Sequence, residues 1–170
     1  MKKVLAAVAI ATLASPAVAV ERPFFGLDYE MMTYEFDGGG EFNTDNVRLR
    51  FGTMLKPSWG LQADVTLGLG ADSEAGMKVK TQNSYTLSGL YRLNMGKAGL
   101  YGYAGYAYVN TRSESGGAGA TTEEEDGLAY GVGLDFPGFW GNSFELDYRI
   151  LMDEDNYTQS GMSFGMRRFF

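Results

Sequence analysis

Apolar residues alternate with polar or small residues along most of the chain, and this alternation constrains the fold more than any other feature of the sequence. It recurs in eight runs of about ten residues, whereas the three-to-four-residue spacing of an amphipathic helix does not. A period of two places successive side chains on opposite faces of a strand, so each run predicts a strand with one apolar face. The chain contains 24 Gly, 11 Tyr and 11 Phe but only 4 Pro, which suits strands joined by tight turns.

The fifth run, residues 100–110, is the one in which the apolar face is ambiguous. Both of its faces mix aromatic with small residues, so the pattern alone does not choose between them. We expect the first face to be the apolar one, and the opposite assignment stays open. The first face contains Tyr101, Tyr103, Gly105, Ala107 and Val109, and the second contains Gly102, Ala104, Tyr106 and Tyr108.

The first nineteen residues differ from the rest and predict a secretory signal peptide. Lys2 and Lys3 precede an apolar run from Val4 to Leu13, and small residues follow up to Ala19 in the form that a signal peptidase accepts. The apolar run is too short to span a bilayer as a helix. We therefore expect cleavage after Ala19, and residues 20–170 to form one exported domain.

Charge and composition argue against several functions. Removal of Lys2 and Lys3 leaves 12 Lys and Arg against 21 Asp and Glu, a net charge of −9, which disfavours a nucleic-acid partner. The chain has no Cys, so disulfides cannot stabilise it. It also has no His, so lipase, deacylase or acyltransferase chemistry that pairs a His with a Ser is disfavoured. We expect no enzyme activity, no metal and no cofactor.

The connections between the runs alternate in character. Residues 57–60, 94–99 and 137–143 are short and rich in Gly, Pro and Asn; residues 35–45, 71–77 and 111–126 are longer and more polar, and residues 153–156 are short but acidic. Short turns at one end and longer loops at the other are typical of outer-membrane barrels, and about ten residues suffice for a tilted strand to cross the apolar layer. We predict an all-β fold, an eight-stranded antiparallel up-and-down transmembrane β-barrel in the bacterial outer membrane.

The charges on the polar faces of the runs are balanced in number, which predicts that these faces point inward. A soluble ligand-carrying barrel would instead place its apolar faces inside and a charged coat outside. Buried charges must be paired, and six acids can pair with six bases in a narrow lumen. The predicted salt-bridge network of the lumen contains Asp28, Glu30, Arg48, Arg50, Lys56, Asp64, Arg92, Asp135, Glu145, Asp147, Arg149 and Arg167.

Aromatic residues mark the end of the predicted barrel that carries the short turns. Trp59, Phe139 and Trp140 fall in these turns, and amphipathic rings favour the headgroup level, so we expect an aromatic belt there. Ordinary packing of the turns is the alternative for each ring. The sequence ends on Phe170, behind the alternating Phe164 and Met166. This ending resembles the terminal-strand signal that the outer-membrane barrel assembly machinery recognises.

The resemblance becomes specific in residues 89–94, Gly-Leu-Tyr-Arg-Leu-Asn, and in residues 100–106, Leu-Tyr-Gly-Tyr-Ala-Gly-Tyr. A strand that ends in Tyr-Arg-aliphatic-Asn, followed by a short turn and a strand rich in Tyr and Gly, resembles the OmpX/Ail group. In length and layout the mature chain resembles the transmembrane domain of OmpA-like proteins, without their periplasmic peptidoglycan-binding domain. The resemblance implies a structural or surface-interaction role, in adhesion or envelope integrity, through loops that contact lipopolysaccharide, a host surface or another protein.

Three other activities need to be considered. A narrow porin-like channel for small solutes is the alternative function, although lumen charges that pair would obstruct it. Asp28 with Glu30, or Glu145 with Asp147, could serve as an acid–base pair, but a salt-bridge role is favoured because side chains fill an eight-stranded lumen. The acidic run 123–126 could bind a divalent cation, but a solvated loop is favoured. Acidic loops also argue against binding of anionic polymers such as heparan sulfate.

Overall fold

A computed structural model describes residues 22–36, 41–74, 77–115, 119–154 and 157–170, so the predicted signal peptide lies outside the described residues. These residues form nine antiparallel strands, and within the described ranges there is no helix long and apolar enough to cross a membrane. The strands are β1 (Arg22–Phe36), β2 (Glu41–Met54), β3 (Trp59–Gly68), β4 (Asp72–Glu74), β5 (Met77–Met95), β6 (Ala98–Ser115), β7 (Gly119–Pro137), β8 (Asn142–Glu154) and β9 (Tyr157–Phe169).

Strand pairing closes the sheet into a barrel. Except for β3 and β4, consecutive strands pair with each other, and β9 returns to pair with β1 from Phe24 opposite Phe169 to Phe36 opposite Tyr157. The short β4 pairs with β5 at its beginning, and β3 pairs with β5 further along, so β3 and β4 share one position. The result is an eight-stranded antiparallel barrel without helices among the described residues, which confirms the predicted fold class.

Side-chain burial shows which faces of the strands point inward. On β1 the side chain of Leu27 is 46% exposed, whereas its neighbour Asp28 is 1% exposed. The same alternation of outward apolar and inward polar residues recurs around the barrel, with Leu146 outward and Asp147 inward on β8. A belt of exposed Leu, Val, Phe, Met and Tyr side chains therefore surrounds the barrel, as lipid requires.

The predicted facing of β6 is wrong. Tyr101, Tyr103, Ala107 and Val109 are buried in the lumen, and Ala104 and Tyr106 are exposed on the outside. The physical reason is the tyrosine hydroxyl, which can donate and accept hydrogen bonds inside a polar lumen. Tyrosine is compatible with either face, so its alternation carries less information than that of Leu or Val.

The strands extend beyond the runs predicted for them at one end of the barrel. Residues 35–36 and 41–45, 72–74 and 77, and 111–115 and 119–126 belong to strands, although the sequence predicted loops there. Hydrogen-bonded hairpins continue above the apolar belt, and in residues 120–126 both faces of the strand are largely open to water, so alternation is no longer needed there. The connections at the opposite end, residues 55–58, 96–97 and 138–141, are short as predicted.

The interior of the barrel has three layers. An ionic layer lies in the middle, and an apolar cluster lies at each end of it. The cluster beside the short turns contains Phe24, Met54, Leu90, Tyr101 and Tyr103, with Phe169 packed against it. The cluster at the other end contains Met32, Tyr34, Phe42, Val79, Ala107, Val109, Ala129, Leu151 and Met152.

Candidate functional site

The ionic layer is built around two arginines of β2 that point into the lumen. Arg48 Nε lies 3.0 Å from Asp28 Oδ2 on β1, and Arg48 Nη2 donates to Asp147 Oδ2 on β8 at 2.6 Å. Arg50 Nε donates to Asp28 Oδ2 at 3.0 Å, and its Nη2 lies 2.9 Å from Glu145 Oε2. Because the acids come from β1 and β8, these two guanidiniums tie β2 both to its neighbour β1 and to the more distant β8.

Asp147 is the most highly connected acid of the layer. Besides Arg48, its Oδ2 accepts a hydrogen bond from the Tyr101 hydroxyl at 3.0 Å and lies 3.3 Å from Arg50 Nη1. Its Oδ1 accepts a hydrogen bond from Ser163 Oγ at 2.8 Å. All these side chains are buried, so each contact acts in a medium that screens charge weakly.

Two further ion pairs lie in the lumen. Arg149 of β8 donates from Nη2 to Glu30 Oε2 of β1 at 2.5 Å and to Thr66 Oγ1 of β3 at 2.9 Å. Arg167 of β9 lies 2.7 Å from Glu145 Oε1. Asp64 is more weakly held, since its closest guanidinium nitrogen, Arg149 Nη1, is 4.0 Å away.

Arg167 is also enclosed by aromatic rings. Its guanidinium carbon lies 4.4 Å from the ring centre of Phe24 and 4.9 Å from that of Tyr101. A cation above an aromatic face is stabilised by the ring quadrupole. Arg167 therefore joins the ionic layer to the apolar cluster beside the short turns.

The tyrosines of β6 lean across two glycines of β7. A Cβ atom added at Gly131 would lie 2.6 Å from the ring of Tyr103, and one at Gly133 would overlap the ring of Tyr101. The missing side chains thus create the space in which both rings lie flat against the barrel wall. This position lets the Tyr101 hydroxyl accept from Arg50 Nη1 at 3.3 Å and the Tyr103 hydroxyl accept from Arg48 Nη1 at 3.4 Å.

Ten of the twelve residues predicted for the lumen network are buried in the barrel, and two differ. Arg92 lies at the rim, with its side chain 20% exposed, and pairs through Nη2 with Asp135 Oδ1 at 2.6 Å. The prediction that Lys56 belongs to the lumen network is wrong, because its side chain is exposed in the turn between β2 and β3 and lies outside the cluster. The alternation that assigned it to the lumen ends at Met54, where the chain leaves the sheet.

Both carboxylate pairs considered as acid–base candidates lie among guanidiniums. Asp28 contacts Arg48 and Arg50, Glu30 contacts Arg149, and Glu145 contacts Arg50 and Arg167. Apolar side chains lie above and below them. Alternation alone did not predict the apolar cluster farther from the short turns. Two breaks in the alternation, at Met31-Met32 and at Leu151-Met152, could have indicated this cluster. The second break coincides with a bulge between β8 and β9.

The aromatic residues predicted for a belt lie exposed beside the short turns. Trp59 stacks edge-on against Tyr91 with ring centres 4.7 Å apart, and Phe139 lies 6.2 Å from Phe144. Trp140 is 90% exposed and has a φ of 53°, an uncommon backbone conformation for a residue other than glycine. Their placement is compatible with the belt, and the belt itself remains a prediction.

The last strand presents the residues predicted for the assembly signal on the outside. Phe164, Met166 and Phe170 are exposed on the lipid-facing side, whereas Phe169 points inward and packs edge-on against Phe24. The backbone N–H of Phe170 donates to the carbonyl of Pro23 at 2.9 Å. The end of the chain is therefore fixed against β1 at the seam of the barrel.

The acidic run 123–126 belongs to β7 rather than to a loop. Glu123, Glu124 and Asp126 are exposed, and Asp126 accepts a hydrogen bond from the Tyr106 hydroxyl. Within the described ranges, no group of three or more acids is arranged so that it could hold a metal ion. The run is therefore a solvated strand, not the solvated loop that we expected.

Three strands rise beyond the rest of the barrel at the end opposite the short turns. The β6–β7 ladder continues to Ser115 opposite Gly119, whereas the β7–β8 ladder ends at Tyr130 opposite Ile150. We call this extension the outer sheet: residues 77–84 of β5, 109–115 of β6 and 119–127 of β7. At about 3.3 Å per residue it extends roughly 20 Å past the Tyr108 level.

A family profile described as the outer membrane protein beta-barrel domain matches residues 4–170. The chain belongs to this family. It is therefore a protein of the bacterial outer membrane, and its apolar belt faces lipid. Comparison with curated proteins gives no match.

Several solved structures have the same barrel fold. Ail, the attachment invasion locus protein of Yersinia pestis, has a TM-score of 0.67 at 20% identity, covering 88% of this chain and 98% of Ail. Ail in complex with the heparin analogue sucrose octasulfate has a TM-score of 0.65 at 18% identity, covering 88% and 98%. Neisserial surface protein A has a TM-score of 0.66 at 16% identity, covering 87% and 97%. At these identities the likeness shows the shared fold.

Proposed function

We propose that this protein is a surface-interaction protein, in which the barrel serves as the anchor and the outer sheet binds a partner outside the cell. The observation that carries the proposal is the outer sheet itself. Its residues on β6 and β7 are almost all polar, with Val109 and Ala120 among the few exceptions, and those of β7 are mostly exposed. Strands that bury so little apolar surface contribute little to stability, so their use is the surface that they display.

The filled lumen supports an anchoring role for the barrel. The buried ionic layer and the two apolar clusters occupy the space that a solute would need. A barrel that is packed inside and apolar outside is a rigid support for whatever projects from it. The attachment role stated for Ail, which has the same fold, points in the same direction.

Two contacts with the envelope belong to the same proposal. The lipid-facing belt would place the barrel beside lipopolysaccharide in the outer leaflet. Phe164, Met166 and Phe170, exposed on the last strand, would be read by the barrel assembly machinery during insertion.

The proposal can be tested by bacterial adherence. A non-adherent Gram-negative strain that expresses the protein should bind to monolayers of cultured epithelial cells at least about tenfold more than the same strain without it. A truncated variant, in which Asn-Gly replaces residues 114–120, should return adherence to background. Ser113 and Thr121 are directly opposite in the ladder, so a two-residue turn can join them without disturbing the barrel.

The matched control alters another hairpin at the same end of the barrel. Glu35 and Glu41 are directly opposite each other on β1 and β2 and exposed, and their change to Gln should leave adherence unchanged. Strains are compared at equal amounts of each variant in the outer membrane, measured as the intensity of the folded band on SDS gels. If the strain that expresses the protein adhered no better than the non-expressing strain, the proposal would be refuted. Full adherence of the truncated variant would show that the outer sheet is not the binding surface.

A further inference from the structure

The basic residues of this acidic protein are distributed unevenly. Four arginines are buried in the lumen, and five bases lie at the end with the short turns: Arg22, Lys56, Arg92, Lys97 and Arg168. Only Lys78, Lys80 and Arg112 remain of the bases in residues 20–170, because the undescribed stretches of that range contain none. All three lie in the outer sheet and line a single cavity.

The cavity is open toward the side of the barrel. It measures about 580 Å³ and lies between the end of β3 and the outward faces of β5 and β6. Leu69 lines it from below, Gln82 and Glu114 complete its polar wall, and Arg112 Nη2 lies 2.8 Å from Glu114 Oε1. We call this feature the basic cavity.

Two of its cations are direct neighbours across the ladder. Lys80 is opposite Arg112, and like charges in that position destabilise a strand pair. Glu114 offsets one of the three positive charges of the basic cavity, so a net positive charge is left. The arrangement is the one that an anion between the two strands would stabilise.

The height of the basic cavity matches the headgroup level of the membrane. Tyr85 and Tyr108 are directly opposite at the top of the apolar belt, and Asn83 and Asn110 form the next outward pair. Arg112 is four residues beyond Tyr108, about 13 Å along the strand and about 10 Å along the membrane normal at the usual tilt. Leu69, which is 59% exposed, continues the lipid-facing surface of β3 into the cavity.

We propose that the basic cavity binds the phosphorylated headgroup of an outer-leaflet lipid, with Lys78, Lys80 and Arg112 around the phosphate and Leu69 against the top of an acyl chain. This inference deepens the lipopolysaccharide contact in the proposed function. A sulfated sugar in solution would need only the cations. The juxtaposition of an apolar side chain with the cations, in a cavity that faces sideways at membrane level, favours an amphiphile instead.

The experiment measures binding of lipid A to the folded protein in zwitterionic phosphocholine micelles. The amide chemical shifts of Lys80 and Arg112 report binding at the site, and chemically dephosphorylated lipid A, with the same acyl chains, isolates the contribution of the phosphates. The double variant Lys80→Gln/Arg112→Gln should weaken binding at least about tenfold, since each basic residue near an anionic surface contributes about fivefold. The control Lys56→Gln/Lys97→Gln removes two exposed bases at the other end and should bind like the unmodified protein.

The outcomes separate the possible ligands. Preference for phosphorylated over dephosphorylated lipid A, lost in the Lys80/Arg112 variant and kept in the control, supports the proposal. Equal binding by both variants overturns it, and so does equal binding of both lipids. Tighter binding of sucrose octasulfate than of lipid A at the same amides would also overturn it, in favour of a soluble sulfated sugar. The adherence assay uses other variants and no added lipid, so failure of either proposal leaves the other testable.

Discussion

At the scale of single residues, the ionic layer contains one acid that is held by many partners and one that is held by few. Asp147 receives hydrogen bonds from Arg48, Tyr101 and Ser163, whereas Asp64 accepts one from Gln62 Nε2 at 3.2 Å and lies 4.0 Å from Arg149 Nη1. Both are buried, so burial alone does not distinguish them. The difference in partners predicts a difference in the energetic importance of the two charges.

We expect Asp147→Asn to lower the free energy of unfolding by about 3–5 kcal/mol, because it leaves the buried Arg48 guanidinium short of a counter-ion. Asp64→Asn serves as the matched control and should cost less than about 1 kcal/mol, since the amide oxygen can still accept the hydrogen bond from Gln62. Urea unfolding of the refolded protein in phosphocholine micelles measures both. Equal losses of stability would contradict this ranking of the two acids.

The sequence also limits what can be predicted at this scale. The buried acids and arginines are identifiable because strict alternation with Leu, Val and Phe fixes their side of the strand. The tyrosines of β6 are not, because their hydroxyls suit the lumen and their rings suit the membrane. Their position depends on Gly131 and Gly133, which lie opposite these tyrosines only once the sheet has folded.

At the scale of secondary-structure elements, β9 has two faces with different roles. Its inward face carries Arg167 and Phe169, which hold the seam, and its outward face carries Phe164, Met166 and Phe170. A substitution at Phe170 therefore tests recognition during assembly with little effect on the packed interior.

We expect Phe170→Gln to slow the appearance of folded protein in the outer membrane several-fold after induction. The control is Phe139→Gln in the β7–β8 turn, because Phe139 is 72% exposed and Phe170 is 70% exposed. The two side chains are thus similarly exposed, while only Phe170 lies at the end of the last strand. The measurement is pulse-chase labelling of the folded gel band, and identical rates for both variants would count against an assembly signal.

The extent of the strands shows a second limit of sequence prediction. The eight membrane crossings follow from alternation, but alternation reports a strand only while its two faces meet different surroundings. Above the belt both faces of Thr111–Ser115 and of Glu123–Asp126 meet water, so their composition resembles that of loops. They are nevertheless part of the sheet, because the hydrogen-bonded ladder between β6 and β7 continues through them.

At the scale of the whole molecule, the three interior layers close the lumen. A solute would have to displace the buried ion pairs and then pass the apolar cluster around Met32, Leu151 and Met152, from which water is excluded. The interior of the described barrel is thus occupied by buried side chains from one apolar cluster to the other.

We expect the protein in planar lipid bilayers to give no conductance steps of stable amplitude. The same preparation should migrate differently on SDS gels before and after boiling, which shows that the inserted protein is folded. Steps of reproducible amplitude from heat-modifiable protein would contradict the filled lumen and restore the channel interpretation.

The ion pairs that cross the lumen also govern how the barrel can be completed. Arg48 and Asp147 are 99 residues apart in sequence, and Arg149 and Glu30 are 119 apart, so neither pair can form until the last strands meet the first. Until that moment Glu30, Asp147 and Arg149 lack these partners in the nascent sheet, and an unpaired charge at membrane depth is costly. We therefore expect closure to be a late, concerted event, and partly inserted chains to be short-lived rather than accumulate.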